Sequence, residues 1–289
     1  MSALARAFKG SVLALPITVL IGGFFVVPLA VVFAMAFRPY DPITLIGSGL
    51  TLANFPRFLG DGNYIAAFLR TVGISAAATL LSMVFGFPVA WHLHRLRSGT
   101  ARLWFTLIVL LPLMVSLVVA SFAWVLILGN NGILNSVLLG TGLISEPIRL
   151  MNTTTGVVIV TVFSHISYVI LTTFAALENI DPNLARAARI HGVTETKIFT
   201  RIILPLSLPG VLAGGLIVFA LSMAAFVIPF LIGGGRVNVV PLLIYQFTVQ
   251  FFDWPGAAAL GLLLFVVTLA CSWVLSVTAQ RWMPWEKLR

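Results

Sequence analysis

The sequence predicts an all-α membrane protein with six transmembrane helices, and three observations carry that prediction. Of its 289 residues 60% are hydrophobic and only 9% are Asp, Glu, Lys or Arg, whereas a soluble domain is about a quarter charged. Mean hydropathy is +1.10. The apolar residues gather in six runs, each near or above the ~20 residues that a helix needs to cross a bilayer. The 24 glycines and 15 prolines fit this class, because both are commoner in membrane helices than in soluble ones. The net charge of +9 does not mark a nucleic-acid binder, since the basic residues cluster between the apolar runs. Cys271 is the single cysteine and lies inside such a run, so no internal disulfide forms.

The first span, 12–37, follows Arg6 and Lys9. Ala34-Met35-Ala36 resembles a cleavage site, but the run exceeds the roughly 7–15 apolar residues of a signal core. It reads as a retained helix kinked at Pro28. A polar connector then leads to the second span, 71–91, which ends in the basic His92-Leu93-His94-Arg95-Leu96-Arg97. The third span, 103–128, contains Pro112. A connector opening on the turn signal Asn130-Asn131-Gly132 leads to the fourth, 156–177. The fifth, 211–232, runs into Gly233-Gly234-Gly235, and the sixth, 256–279, precedes a short basic tail. No second soluble domain, fixed-period repeat or low-complexity linker interrupts this pattern, so 1–289 reads as one transmembrane domain.

Orientation follows from Lys and Arg. With the N-terminus inside, twelve of the 17 fall on the inner side and five on the outer, as the positive-inside rule requires. Both termini are then cytoplasmic, and so is the most polar stretch of the chain, the loop 178–210.

Within that loop, Asp181-Pro182 is a helix start, with Asp as N-cap and Pro at the first helical position. Asn183 to His191 reads as a short helix closed by Gly192 as its C′ residue. Leu184, Ala187, Ala188 and His191 share one face, and Arg186 and Arg189 another. Thr194 is placed to cap a second short helix, which Pro205 and Pro209 end or bend before the fifth span. Two readings fit: a loop whose basic residues only orient the chain and meet lipid head groups, or a docking element anchored by Leu184, Ile190 and Val193.

The spacing favours docking. Ala187-Ala188, three residues, Gly192, nine residues, then Ile202-Ile203-Leu204-Pro205 resembles the cytoplasmic loop of ABC importer permeases, whose signature is Glu-Ala-Ala, three residues, Gly, nine residues, Ile-any-Leu-Pro. Arg186 occupies the Glu position, so the ion pair that Glu makes in the family is absent or reversed in sign. Asp253-Trp254-Pro255-Gly256 and Leu231-Ile232-Gly233-Gly234 are most similar to the spermidine/putrescine branch. The resemblance implies a type I importer permease fold and residence in the bacterial inner membrane. It implies that Leu184, Arg186, Ala187, Ala188, Arg189, Gly192, Val193, Leu204 and Pro205 contact an ATP-binding subunit, in two copies, that binds ATP and Mg. A second permease subunit, copy or paralogue, and a periplasmic or lipoprotein solute-binding protein complete the implied assembly.

The chain carries no Gly-x-x-x-x-Gly-Lys-Ser/Thr phosphate loop, so it is expected to be non-catalytic and to hold no cofactor. No metal constellation stands out, since His92 and His94 point to different sides of a helix. His165 with Ser164, Ser167 and Tyr168 is the most polar patch inside a span, and two readings fit it: a pathway or bridges between helices. The same choice, pathway or packing, applies to Ser222, Met223, Phe226 and Pro229. Gly210-x-x-x-Gly214 permits either close helix contact or a hinge after Pro209. For a polyamine, Tyr245, Asp253 and Trp254 are candidate outer-mouth groups through charge and aromatic faces, against interfacial anchoring for Trp254. The expectation is an ATP-driven importer subunit for a small solute such as spermidine or putrescine. Its rival is a free-standing carrier or channel, which the lack of intramembrane acids disfavours. A membrane insertion factor has no motif in its favour.

Overall fold

The computed structural model describes residues 2–281, with side chains for residues 16, 17 and 19–278. Among these the secondary structure is entirely helical: α1 (Ser2–Met35), α2 (Asn54–Leu59), α3 (Gly62–Arg95), α4 (Gly99–Met114), α5 (Leu117–Leu128), α6 (Ile133–Gly140), α7 (Thr154–Glu178), α8 (Pro182–Ile190), α9 (Glu195–Ile198), a π turn (Phe199–Ile203), α10 (Leu204–Met223), α11 (Val227–Gly233), α12 (Val240–Val249) and α13 (Trp254–Arg281). Five stretches are long and apolar enough to span: Gly62–Arg95, Leu117–Gly140, Thr154–Glu178, Glu195–Met223 and Trp254–Thr278. The expected first span corresponds to α1, whose described apolar part is Val19–Met35. The basic tail beyond Arg281 lies outside the described residues.

Four boundaries differ from the sequence reading, each for a local reason. The second span begins at Gly62, not 71, because Asp61 accepts the Asn63 N–H at 2.8 Å and starts the helix early. The third is not one helix: the backbone turns extended at Val115 and Ser116, separating α4 from α5. The fifth breaks after Met223 and restarts as α11, which puts Pro229 in a first turn, where its missing N–H leaves no helical bond unmade. Pro255 is in the first turn of α13 in the same way.

The loop after α8 is the fourth. Pro205 and Pro209 do not end a second short helix: Glu195–Met223 is one continuous helix through the π turn. A proline removes a donor and its ring strikes the carbonyl four residues back. The wider π turn, in which the Leu204 N–H reaches the Phe199 carbonyl five residues back, relieves that conflict just ahead of Pro205. The cytoplasmic loop is correspondingly shorter than 178–210.

Two compact units make up the chain: residues 1–65 with 243–263, and residues 66–242 with 264–289. In the first, Phe58 is fully buried and packs edge-on against Tyr64 and Phe247 at 5.0 and 5.4 Å. Asn54 is also buried and donates to the carbonyls of Ala36 and Arg38 at 2.9 and 2.8 Å, closing the outer end of α1. In the second unit α7 and α10 pack extensively against each other. Small residues set their separation. A Cβ on Gly214 would strike Thr172 Oγ1 and come within 2.7 Å of Val169 Cα, and one on Gly210 would meet the Thr172 carbonyl at 2.6 Å. Gly210 and Gly214 therefore act by close contact, not as a hinge.

This predicts opposite outcomes for two glycines in similar helices. Gly214→Ala overpacks the α7–α10 seam and lowers stability by about 1–3 kcal/mol, whereas Gly73→Ala, with nothing within 4 Å of the new carbon, leaves it unchanged or higher. Thermal unfolding of the purified protein in detergent distinguishes them.

Candidate functional site

Helix α8 is capped at both ends by its own sequence. Asp181 Oδ1 accepts the Asn183 N–H at 2.9 Å, and Pro182 opens the helix. At the other end the Gly192 N–H donates to the Arg189 carbonyl at 2.9 Å and the Val193 N–H to the Ala188 carbonyl at 3.1 Å. That pair of bonds is the Schellman closure, which needs a left-handed residue at C′; Gly192 supplies it with φ of 73°. The spacing Ala-Ala-x-x-x-Gly is thus the length of a helix plus its stop.

No residue of α8 is buried. Leu184 is 46% exposed and Ile190 85%. Arg189 is held bidentately by Glu195, at 2.5 and 3.1 Å, and the neighbouring carboxylate pushes its guanidinium above the ordinary value. Arg186 donates to Asn183 Oδ1 at 3.3 Å. Ala187 and Gly192 are exposed and Ala188, Val193, Leu204 and Pro205 half-buried, so α8 presents its faces outward while the chain after it sinks into the protein.

The sequence reading missed how the chain on either side of α8 is anchored. Glu178, the last residue of α7, bridges His94 Nδ1 and Arg102 Nη2, both at 2.6 Å. Arg102 also lies 4.7 Å over the Phe174 ring. Three helix ends are tied there, α3, α4 and α7. Beside it Phe199 of the π turn packs edge-on against Trp91 at 5.2 Å and Phe87 at 6.0 Å, and Ile198 is fully buried. Below lies an apolar cluster of Ala90, Val109, Ile170 and Leu177. His92, by contrast, turns to Phe105 at 5.3 Å, so the two histidines do part company, and no cluster of metal-ligating residues occurs among the described residues.

The candidate pathway residues fall into both compact units. In the larger one His165 and Ser222 are buried, and His165 Nδ1 and Ser222 Oγ lack a well-formed hydrogen bond among the described residues, as do Ser75, Ser82 and Thr173 hydroxyls. Tyr168 is half-buried, 6.4 Å from the His165 ring. Phe226 stacks on Phe230 at 5.4 Å where the backbone breaks between α10 and α11. Met223 and Pro229 are buried. Ser167 is a bridge: its hydroxyl donates to the Val109 carbonyl of α4 at 2.7 Å.

In the smaller unit Asp253 has a local occupation that its sequence context concealed. Only 2% exposed, it accepts the Gly256 N–H at 2.7 Å as N-cap of α13 and pairs with Arg57 at 2.7 Å. Arg57 in turn lies 5.3 and 5.2 Å over Phe58 and Phe247. The carboxylate is compensated inside the chain, which a sequence separation of 196 residues gave no means to foresee. Tyr245 is half-buried on α12, and Trp254 is 39% exposed in the first turn of α13.

Five stretches long and apolar enough to span a bilayer, with a short helix capped at both ends between two of them, define a polytopic membrane protein. Residues 79–283 match the binding-protein-dependent transport system inner membrane component family, and the chain belongs to that family. It is an inner-membrane protein with the ABC importer permease fold. It is 30% identical over 244 residues to the spermidine/putrescine transport system permease protein PotB of Escherichia coli (strain K12), covering 84% of this chain and 88% of that one. It is 31% identical over 211 residues to the inner membrane ABC transporter permease protein YdcU of the same strain, covering 68% and 66%. In fold it is similar to a bacterial alginate ABC transporter solved with a pentasaccharide-bound periplasmic protein, with TM-score 0.78, 20% identity and 97% of both chains covered. The MetNI methionine ABC transporter matches with TM-score 0.55 and 18% identity, over 77% of this chain and 99% of that one.

Two pairs of substitutions test this geometry. Gly192→Val forces a branched side chain into left-handed backbone at about 1–2 kcal/mol, which raises amide exchange at the end of α8 by about tenfold, whereas Gly192→Asn stays near wild type. Arg57→Ala leaves the buried Asp253 charge unpaired and costs about 2 kcal/mol, and Asp253→Asn in the same background restores much of the loss. Hydrogen exchange reads the first pair and thermal unfolding the second.

Proposed function

We propose that this chain is the permease subunit of an ATP-driven importer that carries a small polycation of the spermidine or putrescine type. The observation that carries the reading is the state of α8. Both its ends are closed, its root is braced by Glu178, His94 and Arg102, and Leu184 and Ile190 stay exposed on the inner face. Burying these side chains contributes about 1.5–3 kcal/mol for Ile190 and about half as much for Leu184, so a groove on a separate ATPase that accepts them gains a firm hold on a rigid lever. ATP and Mg are bound by that partner, and this chain performs no catalysis. A second permease and a solute-binding protein outside complete the assembly. Closure of the ATPases draws α8 inward, and α7 and α10 follow as a pair, opening the spans outward.

The polyamine assignment rests on the similarity to PotB. With Asp253 engaged by Arg57, a polycation crosses on hydroxyl oxygens and aromatic faces, for which His165, Tyr168, Ser222 and Phe226 of the larger unit are the candidates. Such a lining lowers the barrier without a deep binding well.

The test uses the assembled transporter in vesicles with its binding protein and ATP. Labelled spermidine or putrescine accumulates, and Ile190→Asp or Gly192→Asp abolishes uptake and ATPase retention while leaving membrane insertion intact. Uptake that persists in Ile190→Asp with the ATPase still bound rejects the docking role. ATP-dependent uptake of a different solute, with no polyamine uptake, rejects the substrate alone.

A further inference from the structure

Beneath α8 lies a cleft of about 780 Å³, bounded by the inner end of α3, the end of α7 and the start of α9. Its floor is apolar, formed by Trp91, Leu177 and Phe199, and its rim carries the guanidinium groups of Arg95, Arg97 and Arg186. The two acids in the cleft are already committed. Asp181 caps α8, and both oxygens of Glu195 are held by Arg189. Arg95 lies 5.8 Å over the Trp91 ring, and none of the three rim arginines makes an ion pair among the described residues. The cleft therefore holds an excess of positive charge above a greasy floor.

Its depth narrows the occupant. It opens at the inner ends of the membrane-crossing helices α3 and α7, at Arg95 and Glu178, and it includes Trp91, a residue type that gathers at membrane–water interfaces. A free phosphate would use the rim and leave the floor wet. A glycerophospholipid uses both, its phosphate on the guanidinium groups and its glycerol and upper acyl carbons on the floor. Arginine clusters pair with phosphate through parallel N–H donors, and basic pockets on the cytoplasmic side between membrane helices bind anionic head groups.

We propose that the cleft between α8 and the inner end of α3 is a binding site for the head group of an anionic phospholipid. A lipid held there fills the gap behind α8, its phosphate on Arg95 and Arg97 at the inner end of α3. The site requires only that this face be the inner one, and it stands whether or not α8 docks to an ATPase.

The test takes the purified assembled transporter into nanodiscs of phosphatidylcholine with or without phosphatidylglycerol, and measures retained lipid by native mass spectrometry. Phosphatidylglycerol is retained over phosphatidylcholine. Arg95→Gln with Arg97→Gln weakens its retention by about fivefold per arginine removed, while the matching lysine pair keeps most of it, which separates lost charge from lost fold. Equal phosphatidylglycerol retention by wild type and the glutamine pair overturns the proposal. So does displacement of phosphatidylglycerol by inorganic phosphate that itself binds in lipid-free detergent, which makes the cleft a free-anion site. A photo-crosslinker in place of Arg97 reports lipid if the proposal holds, and an acidic segment of a partner protein if it fails.

Discussion

The close approach of α7 and α10 is the constraint on which the functional end of the molecule depends. Lipid is as apolar as leucine, so helices in a bilayer associate through packing and small residues. Gly210 and Gly214 provide this by removing the side chains that would strike Thr172 and Val169. The segment from Glu178 to Glu195 joins the inner ends of these two helices, and it is held by the caps of α8, the Arg189–Glu195 pair and the Glu178 brace. Helix α8 therefore has little freedom to drift, and a force on it passes to α7 and α10 together. The π turn sits at the exit of that connection. It keeps the path from Glu195 to Met223 a single continuous helix in spite of Pro205 and Pro209.

The second brace is electrostatic and lies at the entrance. Glu178 takes both His94 and Arg102, fixing the end of α7 to α3 and α4. These groups are part-exposed, with side chains between 33% and 37% accessible, so each pair alone is worth little after screening. Their value is geometric. One carboxylate holds two partners on two helices, and the Phe174 ring beneath Arg102 limits where the guanidinium can go. The aromatic contacts of Phe199 with Trp91 and Phe87 perform the matching task on the other side of α8.

Much of this was legible in the sequence where the controlling chemistry is local. Asp181-Pro182 and Gly192 are start and stop signals that act over a few residues, and the helix between them stands where they put it. Hydropathy marked the spans, but not Val115-Ser116 or the break after Met223, because mean apolarity does not register a turn inside an apolar run. Pro205 and Pro209 misled for a related reason: a proline predicts a break only if the preceding turn cannot widen. Asp253 misled through distance. Its partner Arg57 is remote in the chain, and without it the carboxylate read as free for a cation. The Glu178 cluster was hidden likewise, since each member looked like an ordinary end-of-helix charge.

Arg186 shows how magnitude assigns roles within α8. On the proposed docking, Ile190 at 85% exposure and Leu184 at 46% gain from a covering groove, about 1.5–3 kcal/mol for the first and about half as much for the second. An exposed ion pair contributes about 0–1 kcal/mol, so the charge at position 186 is a minor part of affinity whichever sign it has. Like charges brought together in a desolvated groove, however, cost several kcal/mol. An ATPase surface that receives glutamate on a basic residue would therefore reject arginine far more strongly than a matched surface would favour it. Arg189 adds little to this repulsion, because Glu195 already neutralises it. The apolar pair thus sets how tightly α8 is held, and Arg186 sets which partner may hold it.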